Sequence, residues 1–153
     1  MASEFTATRR IAFSETDSAG IVHFANYPKF AEDVEHAFFR SVGLSIATEL
    51  ADGTRVGWPR VRSSWNYLSP LRFEEECELR LVVRKLGDKS ITYAIEIRRL
   101  GGDQPTLCAR GTTVAVCVQG VEGGRMRSVP IPALVRDRIE QAPAERLKDW
   151  PKD

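Results

Sequence analysis

The sequence predicts an α+β fold, an antiparallel sheet of five or six strands with one long helix layered on one face. Three observations carry the prediction. Residues 27–42 place apolar side chains at the i, i+3, i+4, i+7 spacing of an amphipathic helix. Several other runs alternate apolar and polar residues with the period of a half-buried strand. These runs follow one another through short connections, which favours antiparallel neighbours with the helix layered on one face.

Residues 5–13 open the series, with Phe5, Ala7, Ile11 and Phe13 on one face and Thr6, Thr8 and Arg10 on the other. In the helix, Tyr27, Phe30, Ala31, Val34, Ala37, Phe38 and Val42 form the apolar stripe. Asn26 suits the N-cap, Pro28 is tolerated in the first turn, and Gly43 stands where a helix-ending C′ residue belongs. Residues 56–67 are the least regular strand, and Pro59 suggests an edge or a bulge. Residues 76–86 put Cys77, Leu79, Leu81 and Val83 opposite Glu78, Arg80 and Arg84. Residues 90–99 put Ile91, Tyr93, Ile95 and Ile97 opposite Thr92, Glu96 and Arg98, and Gly87-Asp88 between these two runs is a hairpin signal. Residues 106–118 form the last long strand, with Gly111 expected at a bend or bulge. Ala133–Gln141 reads as a short terminal helix, and the charged tail after Pro143 is expected to fray.

The 153 residues suit one domain, with a core over about 5–120 and a C-terminal helix and tail over 130–153. Twenty-two basic and 21 acidic side chains give a net charge of +1, so no bulk field recruits nucleic acid or an anionic membrane. The three cysteines, Cys77, Cys108 and Cys117, match no metal-ligand spacing and sit in apolar patterns, where a thiol packs as a small hydrophobe. The N-terminus lacks the basic and apolar regions of a signal peptide, and no stretch is long and apolar enough to span a bilayer. A cytoplasmic, reduced protein is expected.

Between the first strand and the helix, Asp17 sits in a loop of small residues. A helix start presents unpaired N–H groups and a partial positive charge, which stabilise an oxyanion. A carboxylate beside such donors is minimum equipment for hydrolysing an activated carbonyl. Spacing alone also allows a plainer role: Ser14-Glu-Thr-Asp17 fits a capping box, and an Asp in such a loop often bonds backbone N–H groups.

Asp17, Ala19, Gly20, Ile21, Val22, His23, Phe24, Asn26 and Tyr27 together resemble the signature of the 4-hydroxybenzoyl-CoA thioesterase branch of the hotdog-fold family. The resemblance implies hydrolysis of an acyl-CoA to free acid and CoA, with Asp17 as nucleophile or as general base for water. It implies no metal or other cofactor, CoA being part of the substrate, and a homodimer or homotetramer with paired sites at the interface. Backbone N–H groups of His23–Tyr27 are the expected oxyanion donors. His23, Phe24, Asn26 and Tyr27 are expected to touch substrate, and Phe30, Trp58 and Trp65 are further candidates for an aromatic acyl pocket. Arg84, Lys85 and Lys89 flank a hairpin that lies near the CoA phosphates in several members. Glu32 and Glu35 lie on the helix, where another thioesterase branch carries its nucleophile, but here they read as favourable acidic residues near a helix start. Two other activities fit the same fold: hydration or dehydration of an enoyl or hydroxyacyl thioester, and acyl-CoA binding without hydrolysis. The first carries a tighter Asp-x-Asn-Pro-x-His run that Asp17–His23 lacks. The second has no use for Asp17.

Overall fold

The apolar stripe does become a helix. In the computed structural model, which describes residues 1–120 and 122–151, helix α1 runs Asn26–Ser41 and buries Tyr27, Phe30, Ala31, Val34, Glu35, Phe38 and Phe39. Its end follows the glycine signal. Gly43 turns with φ +73°, its N–H donates to Arg40 O (3.0 Å), and Leu44 N–H reaches Phe39 O (2.9 Å). That pair of bonds satisfies two of the helix's orphan carbonyls and packs Leu44 under Phe39. The start differs from expectation: Ala25 occupies the N-cap with helical angles and no side-chain cap, and Asn26 is the first helical residue.

The strands, in chain order, are β1 (Glu4–Arg10), β2 (Thr48–Glu49), β3 (Arg55–Gly57), β4 (Arg60–Tyr67), β5 (Glu76–Leu86), β6 (Ser90–Arg99), β7 (Thr106–Val116), β8 (Val118–Gly120) and β9 (Met126–Ser128). The main sheet is antiparallel in the order β1-β5-β6-β7-β4, and α1 packs across β5 and β1. A small second sheet, β2-β3-β8-β9, was not legible in the sequence because its strands are only two or three residues long. The predicted facing holds where it matters most: Cys77, Leu79, Leu81, Val83, Ile91, Tyr93, Ile95 and Ile97 are all buried beneath the helix. Burial pushes the Cys77 thiol up to about 12 and the Cys117 thiol up to about 11, so both pack as neutral hydrophobes. Among the described residues no helix is long and apolar enough to cross a membrane.

Five expectations need correction. The first strand stops at Arg10, and Phe13 lies 74% exposed in a 3-10 turn, Phe13–Glu15, because Glu15 Oε2 accepts Ala12 N–H (2.8 Å) and bends the chain. Residues 56–67 split at Trp58-Pro59 between the two sheets, and residues 106–118 split at Cys117. Gly111 is no bulge: it pairs in register with both Trp65 and Ile95. The terminal helix shrinks to one turn, α2 (Ala133–Arg136), because the following backbone pairs with the N-terminus through Glu140 N–H to Ala2 O and Ala2 N–H to Arg138 O, both 2.9 Å.

The tail does not fray over its described length either. Leu147 and Trp150 pack on Val82, Ala94 and Ala142 on the outer face of the sheet, and the Arg110 guanidinium lies 4.7 Å from the Trp150 ring centre. Residues 152 and 153 lie outside the described residues. Beside this strap, Glu96 is nearly buried among Arg80, Arg98 and Arg110. Burial alone would raise its pKa, but hydrogen bonds and charge from Arg110 and Arg98 outweigh burial and hold it down.

Glu35 is a buried carboxyl in the core. It is 2% exposed, paired with Arg60 of β4, and close to the fully buried Tyr93. Among the described residues, neither Glu35 Oε1 nor Tyr93 OH completes a hydrogen bond. Burial pushes the carboxyl from its ordinary 4.5 up to about 7, and the Arg60 guanidinium pulls back only part of that. The neighbouring charge of Glu32 adds to the rise. The folded state therefore holds this proton more tightly than the unfolded chain. Its contribution is complete below about pH 4.5 and is lost as pH climbs through about 7. Glu35→Gln should flatten the fall of melting temperature between pH 5 and pH 8 measured by thermal denaturation. A slope equal to wild type would exclude Glu35 from the pH response.

Candidate active site

Residues Thr16–Val22 form a hairpin in miniature. Thr16 and Val22 bridge antiparallel, Asp17 N–H donates to Ile21 O, and Gly20 N–H donates to Asp17 O, both 2.9 Å. Gly20 closes the turn at φ +77° with nothing within 4 Å of a would-be Cβ, so conformation and not space calls for glycine. Asp17 Oδ1 accepts Ala19 N–H (2.9 Å), the local bonding an Asp in such a loop is apt to make. The capping box from Ser14 to Asp17 does not form. Glu15 is the capping carboxylate instead.

This hairpin is stitched to three neighbours. Val22 N–H donates to Leu71 O (2.8 Å), and Ile21 pairs with Arg72. The Glu15 carbonyl accepts both His23 N–H (2.9 Å) and Asn26 Nδ2 (2.8 Å), while its carboxylate pairs with Arg9. Asn26 thus fastens the loop to the helix start and spends its amide there, away from the cleft. Around the hairpin, Asp17, Ile21, Phe24 and Tyr27 meet Tyr67, Leu68 and Arg72 about a cleft of ≈ 610 Å³. Burial, assisted by the nearby Cys108, Tyr67 and Cys77, pushes the Tyr27 phenol up to about 12, so it stays a neutral group against the cleft.

The helix-start donors can be counted one by one. His23 N–H goes to Glu15 O, Ala25 N–H to His23 Nδ1 (3.1 Å), Asn26 N–H to His23 O (2.9 Å) and Tyr27 N–H to Phe24 O (3.3 Å). Phe24 N–H meets no acceptor among the described residues. Of the five expected donors, one is free, and it belongs to a residue that lines the cleft. His23 itself does not line the cleft. It is exposed, with Nδ1 engaged at the helix start and its ring stacked on Phe24 at 4.7 Å.

The other expected residues scatter. Phe30 is buried under the Arg9 guanidinium, and Trp58 packs edge-on against Phe39 near the far end of α1. Arg84, Lys85 and Lys89 stand at the opposite end of β5 from the cleft, roughly 30 Å away at the rise of a strand. Arg84 also donates to Pro151 O (3.3 Å). Sequence reasoning missed Tyr67, Leu68 and Arg72. The only local sign was the break of alternation at Leu68-Ser-Pro70. Arg72 sits in a turn closed by Glu75, whose N–H donates to Arg72 O (3.2 Å) and whose Oε2 accepts Arg72 N–H (2.7 Å). Within that turn Glu74 has φ +67°, the one positive φ outside glycine among the described residues, a strain on the order of 1–3 kcal/mol.

A family profile described as the thioesterase-like superfamily matches residues 11–139. This chain belongs to that superfamily. It is 26% identical over 148 residues to the 1,4-dihydroxy-2-naphthoyl-CoA hydrolase of Synechococcus elongatus, covering 97% of this chain and 95% of that protein. It is also 26% identical over 136 residues to the 4-hydroxybenzoyl-CoA thioesterase of Pseudomonas, covering 87% and 95%. Among solved structures, an Asp-to-Asn mutant of 4-hydroxybenzoyl-CoA thioesterase with bound 4-hydroxybenzoyl-CoA superposes with a TM-score of 0.81 at 21% identity, over 90% of this chain and 99% of that one. A gentisyl-coenzyme A thioesterase superposes at 0.72 with 29% identity, over 86% and 99%. The fold is the hotdog fold, and the chain is a thioester hydrolase.

Gly111 supports the cleft from behind. Trp65 packs 6.1 Å from Tyr27, and the indole lies over Gly111, where a Cβ would come within 2.6–2.7 Å of its carbons. Gly111→Ala should therefore displace Trp65 and cost about 1–3 kcal/mol by overpacking. Thermal unfolding with no loss of stability would show that the indole has room to move.

Proposed function

We propose that this protein hydrolyses an aromatic acyl-CoA, with Asp17 as nucleophile or general base and Phe24 N–H as oxyanion donor. One observation carries the reading: Asp17 and Phe24, whose helix-start N–H has no acceptor among the described residues, line one aromatic cleft. The 1,4-dihydroxy-2-naphthoyl-CoA, 4-hydroxybenzoyl-CoA and gentisyl-CoA thioesterases named above act on hydroxylated aromatic CoA thioesters, and Phe24, Tyr27 and Tyr67 offer rings to such a group. In the nucleophilic route Asp17 attacks the carbonyl carbon, CoA leaves as thiolate, and water cleaves the resulting anhydride. In the general-base route Asp17 takes a proton from water as the water attacks. Either way negative charge grows on the carbonyl oxygen, where a fixed donor is worth most.

A second copy of the chain belongs to this reading. β4 is an eight-residue edge strand exposed along nearly its whole length, with Val61 and Tyr67 and the adjoining Leu68 all more than half exposed. Antiparallel pairing with its twin would cover that edge. Arg84, Lys85 and Lys89 enter the reading only across such an interface, since on one chain they lie far from Asp17.

Asp17→Asn should keep the fold and lower kcat by at least roughly two powers of ten in a thiol-release assay. Gly20→Val should rank next, because a β-branched side chain resists φ +77°. His23→Ala should be mildest, since it leaves the backbone donors in place. Near-normal turnover of folded Asp17→Asn would sink the mechanism. Sedimentation velocity should find a dimer or larger species, and an active monomer would contradict the paired-edge assembly.

A further inference from the structure

We propose that Arg72 is the specificity-determining cation of the cleft, binding an anionic oxygen of the thioester substrate; this rests on the reading of the cleft as the acyl-CoA site. Asp17 and Arg72 are the charged side chains that line it. Asp17 is committed in part to Ala19 N–H, whereas the Arg72 guanidinium has no hydrogen-bond or ion-pair partner among the described residues. The Arg72 side chain is exposed at the rim of the cleft. Arg72 is followed by Phe73 and then by three glutamates, Glu74, Glu75 and Glu76, any of which could have neutralised it. Glu75 instead turns its carboxylate onto the backbone N–H of Arg72 at 2.7 Å.

The turn that presents Arg72 is built, not incidental. Glu75 closes it at both ends, Glu74 is held at φ +67°, and Glu74 N–H and Ile11 N–H tie it to Ile11 O and Glu75 O at 3.0 and 2.9 Å. Pairing of Arg72 with Ile21 then sets it across from the hairpin that carries Asp17. The turn fixes the backbone of Arg72, and its unpaired guanidinium, on the same cleft as Phe24, Tyr27 and Tyr67, suits an oxygen anion by charge and by its fork of N–H donors. The substrate offers that chemistry from two sources: the phosphates of CoA, or an acidic or phenolic substituent on the acyl group.

Steady-state kinetics of wild type, Arg72→Gln and Arg72→Lys would test this with four substrates: benzoyl-CoA, 4-hydroxybenzoyl-CoA and the N-acetylcysteamine thioesters of the same two acids. The expected result is a KM raised about tenfold or more by Arg72→Gln with kcat changed little, partly restored by Arg72→Lys. Loss on both CoA thioesters and neither N-acetylcysteamine thioester identifies phosphate as the anion. Loss on both hydroxylated substrates, whatever the carrier, identifies the acyl substituent. An unchanged KM throughout, or an equal loss on all four substrates, would overturn the proposal. Failure of the Asp17 mechanism would appear separately, as retained kcat in Asp17→Asn, and leaves the KM pattern readable.

Discussion

Seven residues of one helix must be buried against a single sheet, and the sheet has to curve around that helix to do it. Phe30, Val34, Phe38 and Phe39 fill the concavity, and the inward rows of β5 and β6 meet them with branched side chains and Tyr93. Emptying any one of these sites would cost several kcal/mol, since a packed interior does not close over a lost ring. The helix is therefore fixed in place and in rotation. Its N-terminus is fixed with it, at the end of the sheet where β4 finishes and β5 begins. Glu35 is an expense of that geometry: it lies on the buried stripe and meets Arg60 across the junction with the edge strand.

At that anchored helix start, the Glu15 carbonyl governs the local geometry. By accepting both His23 N–H and Asn26 Nδ2, it ties the turn before Asp17 to the first residue of α1. The same bonds use up donors that an isolated helix start would leave free. Among the described residues, what remains of the His23–Tyr27 donors is a single N–H, on Phe24, with no acceptor of its own. Under the proposed reading, one directed donor is more selective in geometry than a diffuse positive helix end, because its position is set before any substrate arrives. The exposed ring of Phe24 and the strained turn at Glu74 stand on either side of this site, and both carry a folding cost on an otherwise well-satisfied structure.

The outer face of the sheet solves a different problem. Val82 and Ala94 would be exposed there, yet the C-terminal strap covers them with Leu147 and Trp150. Around the strap, arginines outnumber carboxylates, and Glu96 serves three of them at once. A nearly buried carboxylate is tolerable with that many donors, as the downward shift of its pKa records. Glu35, with one arginine and an unsatisfied oxygen, shifts the other way. The contrast between the two glutamates comes from the number of partners each can reach.

The sequence by itself determined the helix, its glycine-terminated end, the inward rows of β5 and β6, and the loop that carries Asp17. All of these rest on spacings of a few residues, where side-chain period and backbone conformation are coupled directly. Tertiary structure decided the rest. Pro59 broke one predicted strand into two sheets, because a residue without an N–H cannot continue a ladder. The tail after Pro143 was held down by apolar surface on strands some fifty residues earlier in the chain. Tyr67, Leu68 and Arg72 joined the cleft because β4 pairs with β7 and its end returns to Ile21 and Val22, contacts that no local pattern encodes. The position of Arg84, Lys85 and Lys89 at the far end of β5 follows from strand length, and the single free N–H at Phe24 from a count of partners that exists only once the chain has closed on itself.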